Sequence, residues 1–141
     1  VEFNARFGDP EAQTLMRLYQ GDLLDLLYNL AQGNMPAPPL MLSKSHAMTV
    51  VMAAAGYPGD VEKGTPIHMP EDFGDDVVVF HAGTNLDGHH FRTQGGRVLN
   101  VTATGDDLQT ARDRAYDAIS QIHWEGVQYR RDIGHRVLDR K

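Results

Sequence analysis

Several absences narrow the reading before any motif is considered. There is no cysteine among the 141 residues. Disulfides and thiolate metal sites are therefore excluded, and a reducing cytoplasm fits. No apolar run reaches the roughly 18 residues that a membrane-spanning helix needs, and no signal peptide is recognisable. Basic residues are outnumbered, 13 against 19 acidic, for a formal net charge of −6. A net-negative chain is a poor general partner for nucleic acid or an anionic membrane, although local basic spots can still hold small phosphates. The seven histidines are scattered and form no zinc-ligand spacing. No P-loop, GxGxxG, nucleophile elbow or Ser/His/Asp set occurs, and there is no internal repeat or low-complexity tract. An initiator Met is also missing, so the chain reads as the middle of something longer.

What is present is an ordinary globular composition, 41% hydrophobic and 23% charged, long enough for one real core. Val1–Asn4 reads as a strand end. Phe7-Gly8-Asp9-Pro10 is a turn entering a helix, with Asp9 suited to the N-cap and Pro10 to the first helical position. That helix is expected to run to Tyr19. Gly21 breaks it, and Asp22 can cap a second helix over Leu23–Gln32, with Leu23, Leu26, Leu27 and Leu30 as an apolar stripe. Residues 35–42, MPAPPLML, carry too many prolines for a helix interior or a central strand. They read as a linker, part of which can pack extended.

Beyond the linker the periodicity changes. Strands are expected at His46–Ala54, Asp76–Ala82, His89–Thr93 and Arg97–Thr104, with Val77–Phe80 apolar enough to be buried on both faces. Asp87-Gly88 marks a hairpin. Asp106 or Asp107 caps a helix over Leu108–Ile122, whose stripe is Leu108, Ala111, Ala115, Ala118, Ile119 and Ile122. A short strand near Val127–Tyr129 follows. Tyr57, Trp124 and Tyr129 read as core or partly buried anchors. The fold class is α+β: a strand and two helices, then a mostly antiparallel sheet with one long helix.

Three groups of residues can carry chemistry. Glu2 and Asn4, two apart on a strand, share a face and offer a carboxylate and an amide oxygen about 7 Å apart. Such hard oxygen donors suit Mg²⁺. Arg6 continues that face, and its guanidinium can balance phosphate charge. The plainer reading is a solvated edge strand, with Asp9 a helix cap. Gly95-Gly96-Arg97 joins a turn to a strand, where backbone N–H groups and an arginine can hold a phosphate. The plainer reading there is a hairpin turn whose glycines take positive φ. Arg130 and Arg131 form a doubled basic spot that can bind an anionic substrate or pair with surface carboxylates.

Taken together, the segments resemble a known family. EFNARFGDPEAQ is similar to the closing metal-site motif of the ATP-grasp phosphoribosylamine–glycine ligases. TVVMAAAGYPGDVEKG, VFHAGT, GGRVLNVTATGDDLQTARDRAYDAI and YRRDIGHR resemble the C-terminal region of those enzymes, in the same order. The resemblance implies that residues 1–34 end an ATP-grasp domain, 35–42 link, and 43–141 form the C-terminal α+β domain. It implies ATP with Mg²⁺, or Mn²⁺, as cofactors, and Glu2 and Asn4 as metal ligands. Arg6 would lie over the transferring phosphate or the acyl phosphate, and Asp9 near the glycine pocket. Gly95, Gly96 and Arg97 would hold the ribose phosphate, with Arg130 and Arg131 as further candidates. The implied partners are phosphoribosylamine, glycine, ATP and upstream domains of the same enzyme. A 141-residue piece without the ATP-binding halves is expected to be inactive alone. The competing expectations are a non-catalytic phosphate- or partner-binding module and a structural domain that docks on another subunit.

Overall fold

The computed structural model describes residues 4–35 and 40–139. Its centre is a four-stranded antiparallel sheet in the order β2-β5-β1-β6, built from β1 (His46–Ala53), β2 (Val77–His81), β5 (Arg97–Gly105) and β6 (Gln128–Tyr129). A separate two-stranded hairpin pairs β3 (Thr84–Asp87) with β4 (His90–Thr93). Helices α1 (Glu11–Leu18), α2 (Leu23–Ala31), α3 (Leu108–Ser120) and the short α4 (His135–Leu138) complete the described elements.

Two helices pack on the sheet. The long helix α3 closes one face, inserting Ala111, Ala115, Ala118 and Ile119 against Met48, Val50, Met52, Leu99, Val101 and Ala103. Its small residues let the helix approach the strands closely, and Ile122 and Trp124 seal its far end. The opposite face carries α1. There the contacts are polar: the half-buried Thr14 on α1 and Thr49 on β1 and the buried Thr102 on β5 form a chain of hydroxyl contacts, 2.8 Å at each step. A hydroxyl chain of this kind satisfies groups that burial would otherwise penalise. Strand β5 is covered on both sides, which is why even Asn100 and Thr102 are fully buried.

Most elements lie where the periodicity puts them, and Asp107 caps α3 by accepting from the Thr110 N–H. Four details differ. First, Asp9 does not cap α1. Pro10 occupies the N-cap position, and the Asp9 carboxylate accepts instead from the side chains of Gln13 and Asn100. Tertiary partners outcompete the local cap. Second, Val77–Phe80 are only partly buried, because β2 is an edge strand with one neighbour. Third, the Asp87-Gly88 turn pairs β4 with β3 instead of folding it back on the strand before. The hairpin thus forms its own small sheet, and Thr84–Asp87 is a strand that the pattern did not place. Fourth, Gly95 and Gly96 do not have positive φ.

The Pro-rich segment is described only at its ends. Residues 41–43 run extended beside 18–20: Gln20 N–H donates to Met41 O at 2.8 Å and Ser43 N–H to Leu18 O at 2.7 Å. The expected leucine stripe of α2 exists, but none of its residues is buried; Leu24 and Tyr28 are 79% and 64% exposed. Asp22 caps this helix by accepting from Asp25 N–H.

Candidate functional site

The site is assembled where the N-terminal end of α1 meets the start of β5. The sharp Gly95-Gly96 corner delivers Arg97 to the face of the sheet that carries α1. Both glycines are explained by close approach. A Cβ on Gly96 would lie 2.5 Å from the Tyr57 ring, and one on Gly95 would lie 3.2 Å from Gly83. The ring of Tyr57 therefore rests directly on the Gly96 backbone. Any side chain there would displace it.

Arg97 is held by a residue 88 positions earlier in the chain. Its Nη1 donates to the Asp9 carbonyl oxygen at 2.7 Å, and its Nη2 lies 3.5 Å from Asp9 Oδ2. The other carboxylate oxygen of Asp9 accepts from Gln13 Nε2 at 2.8 Å and Asn100 Nδ2 at 2.9 Å. Beside this cluster lies a depression of about 460 Å³, lined by Val51, Ala53, Tyr57, Arg97, Tyr129 and Arg130 together with Gln128. Gln128 closes one wall by donating to the carbonyls of Ala54 and Tyr57 at 2.9 and 3.0 Å.

Arg130 is fixed by its own aspartate. Nε and Nη2 donate to the two oxygens of Asp132 at 2.9 and 2.7 Å. That paired hydrogen bond from Arg130 holds the Asp132 carboxyl below its ordinary value and raises the guanidinium's. The loop bearing both is bolted to α3: Tyr116 Oη donates to Arg130 O at 2.7 Å and accepts from Ile133 N–H at 3.2 Å. Arg112 stacks over the Tyr116 ring at 4.8 Å and donates to the carbonyls of Ile133 and Arg131. Chemically, the depression offers two oriented guanidiniums beside two aromatic rings and an apolar floor. That combination suits a small phosphate-bearing molecule with a less polar body.

The candidates named from sequence fall into three groups. Asp9, Gly95, Gly96, Arg97 and Arg130 converge on one corner of the fold. Arg131 is not among the residues lining the depression; its guanidinium lies 5.8 Å from the ring centroid of Tyr129, which does line it. Asn4 and Arg6 are exposed on the segment before α1, and neither is in a strand. Arg6 donates to the Phe7 carbonyl at 2.9 Å. Glu2 lies outside the described residues. Among the described residues there is no group of three or more His, Asp or Glu that could hold a metal ion. Tyr57, Gln128 and Tyr129 line the depression without having been singled out as ligands; Tyr57 and Tyr129 are read from the sequence only as core or partly buried anchors.

A larger groove of about 790 Å³ lies beside β2 and the β3–β4 hairpin, lined by His68, His81, His89, His90 and apolar residues. Burial pushes the His81 imidazole below its usual value, and its ring sits 4.2 Å from that of Phe91. None of the candidates from the sequence lines this groove.

The profile of the family described as "Phosphoribosylglycinamide synthetase, C domain" matches residues 47–136. The chain belongs to this family. Its C-domain portion thus spans β1 through the start of α4, including Arg97 and Arg130. Similarity extends over the N-terminal segment as well. A phosphoribosylamine–glycine ligase of Arabidopsis thaliana, named as chloroplastic, is 49% identical over 100% of this chain and 27% of its own length. The ligase of Rhizobium meliloti is 48% identical over 100% of this chain and 33% of its own. That of Phenylobacterium zucineum is 51% identical over 99% and 34%. The crystal structure of the Thermotoga maritima ligase superposes with a TM-score of 0.81 at 35% identity, covering 94% of this chain and 32% of that one. The chain therefore spans about a third of the length of the relatives it matches. Among the described residues no helix is long and apolar enough to cross a membrane.

Proposed function

We propose that this chain is the C-terminal portion of a cytoplasmic phosphoribosylamine–glycine ligase, and that its depression receives the phosphoribosyl substrate. Residues 1–34 would close the ATP-grasp domain and residues 43–141 would form the domain that completes the active site, joined by 35–42. The reaction follows from the resemblance. The glycine carboxylate attacks the γ-phosphorus of ATP, giving glycyl phosphate and ADP. The amine of phosphoribosylamine then attacks the acyl carbon, releasing phosphate and leaving an amide. Steps of this kind depend on positioning and charge neutralisation more than on covalent help from the protein.

In this reading, Arg97 and Arg130 take the ribose phosphate, with Gly95 and Gly96 giving the backbone its close corner and Arg131 set slightly apart. Arg6 supplies positive charge near the transferring phosphate, and Asp9 borders the glycine pocket. Glu2 and Asn4 would supply two oxygens to Mg²⁺, or Mn²⁺, which would neutralise phosphate charge there. Two oxygens are too few for a cation site without nucleotide. The observation that carries the proposal is the meeting of Asp9 and Arg97 across 88 residues. Two segments that the resemblance assigns to one active site are already in contact.

The test is an assay for ADP formed from ATP, glycine and phosphoribosylamine. A longer protein containing this chain is expected to be active, with Arg97→Ala raising KM for phosphoribosylamine at least tenfold and changing KM for ATP little. The 141-residue chain alone is expected to form no ADP. Turnover by the isolated chain, or an Arg97→Ala longer protein with unchanged KM for phosphoribosylamine, would overturn the proposal.

A further inference from the structure

We infer that Asn100 is a positioning residue. From inside the sheet it orients the Asp9 carboxylate, which in turn aims the Arg97 guanidinium at the depression. The inference rests on reading the depression as an anion site.

Asn100 is an unexpected occupant of β5. It is 0% exposed, in a strand whose neighbours Leu99 and Val101 are core residues. A buried amide is costly unless it bonds. Its Nδ2 donates to Asp9 Oδ1 at 2.9 Å, across 91 residues of chain, while its own Oδ1 is buried without a hydrogen-bond partner. Gln13, one turn into α1, donates to the same oxygen at 2.8 Å. Two donors on Oδ1 set the plane of the carboxylate and leave Oδ2 facing Arg97 Nη2 at 3.5 Å. The Asp9 carbonyl takes Arg97 Nη1 at 2.7 Å. Because the guanidinium is a rigid planar fork, the hydrogen bond at Nη1 and the ion pair at Nη2 together restrict the direction of its remaining donors.

Charge alone does not account for Asp9. A carboxylate beside an arginine that faces an anion opposes binding electrostatically. Its benefit is geometric. An exposed arginine loses rotamer freedom when it captures a ligand, and an arginine already held loses less. Removing the hold should therefore weaken anion binding about three- to tenfold.

Asn100→Leu keeps the approximate shape and removes the donor. In ¹H–¹⁵N NMR of the 141-residue chain, the Arg97 guanidinium of the variant should rotate faster than in the wild type, while that of Arg130, held by Asp132, stays as it was. Affinity for ribose 5-phosphate should fall three- to tenfold. A folded Asn100→Leu chain with Arg97 as restricted as in the wild type, or with unchanged affinity, overturns the inference. If that variant does not fold, Gln13→Met removes the second donor from a half-buried position, and the same two readouts decide. If the wild-type chain binds no ribose 5-phosphate, the anion-site reading fails, and the rotation of Arg97 still decides whether Asn100 positions it.

Discussion

The sheet block from His46 to Tyr129 and the helical segment from Glu11 to Ala31 treat their apolar residues in opposite ways. In the first, Met52, Leu99, Val101, Ile119 and Trp124 are at most 1% exposed. In the second, no residue of either helix is buried, and Leu24, Leu27, Tyr28 and Leu30 are all exposed. Both segments have clear periodicity. The difference shows that an amphipathic pattern reveals which face wants a partner, not whether the partner lies in the same stretch of sequence. What ties α1 to the sheet is polar: the Asp9–Asn100–Arg97 cluster, the threonine chain and Arg17 donating to the Asp75 carbonyl at 2.6 Å.

Substitutions can break or sharpen this contrast. The largest effect is expected in the core. Leu99→Ala should cost about 2–5 kcal/mol in urea unfolding, the range for emptying a well-packed site. Gly96→Ala comes next. Its methyl would meet the Tyr57 ring, and the overpacking should cost about 1–3 kcal/mol and shrink the depression. A smaller loss is expected from Asp107→Ala, read as a drop in Tm, because that cap sits on the helix welded to the core. By contrast, Asp22→Ala removes the cap of a helix with no fully buried residue and should reduce local helicity with little change in Tm. The smallest effect belongs to Leu24→Gln, within about 0.5 kcal/mol of the wild type as for other exposed sites. A large cost at Leu24 would show that α2 has a partner in the chain after all.

The Asp107 cap also has a pH signature. The Thr110 N–H holds its carboxyl below the ordinary 3.8. A depressed value means the stabilisation is complete above the unfolded value and disappears as pH falls through the folded one. The Tm gap between wild type and Asp107→Ala should therefore be constant from neutral pH down to about 5 and close progressively below about 4.

Much of this arrangement was legible in the sequence. The Asp107 cap, the alanine stripe of α3 and the long β5 run follow from local pattern. The role of Asp9 did not, because Asp followed by Pro is a common helix entry and nothing nearby announces a tertiary partner. The edge position of β2 was hidden for a similar reason: VVVF looks alike whether one neighbour or two lie beside it. At the site, Arg97 and Arg130 could be picked out from Gly-Gly-Arg and the doubled arginine. That Arg130 faces the depression while Arg131 lies over Tyr129 depends on Tyr116 and Arg112 gripping the loop from α3. Asn100 passed unnoticed within GGRVLNVTATG, since one polar residue in a strand ordinarily faces water.

The central claim is that the corner shared by Asp9, Arg97 and Arg130 is the anion-binding part of this chain. The most direct measurement is a titration of the ¹⁵N-labelled chain with ribose 5-phosphate, followed residue by residue. The account predicts saturable shifts at Tyr57, Arg97, Tyr129 and Arg130, lost in Arg97→Ala. Shifts confined to the histidine-lined groove at His68, His81, His89 and His90, or no shifts at all, would contradict it.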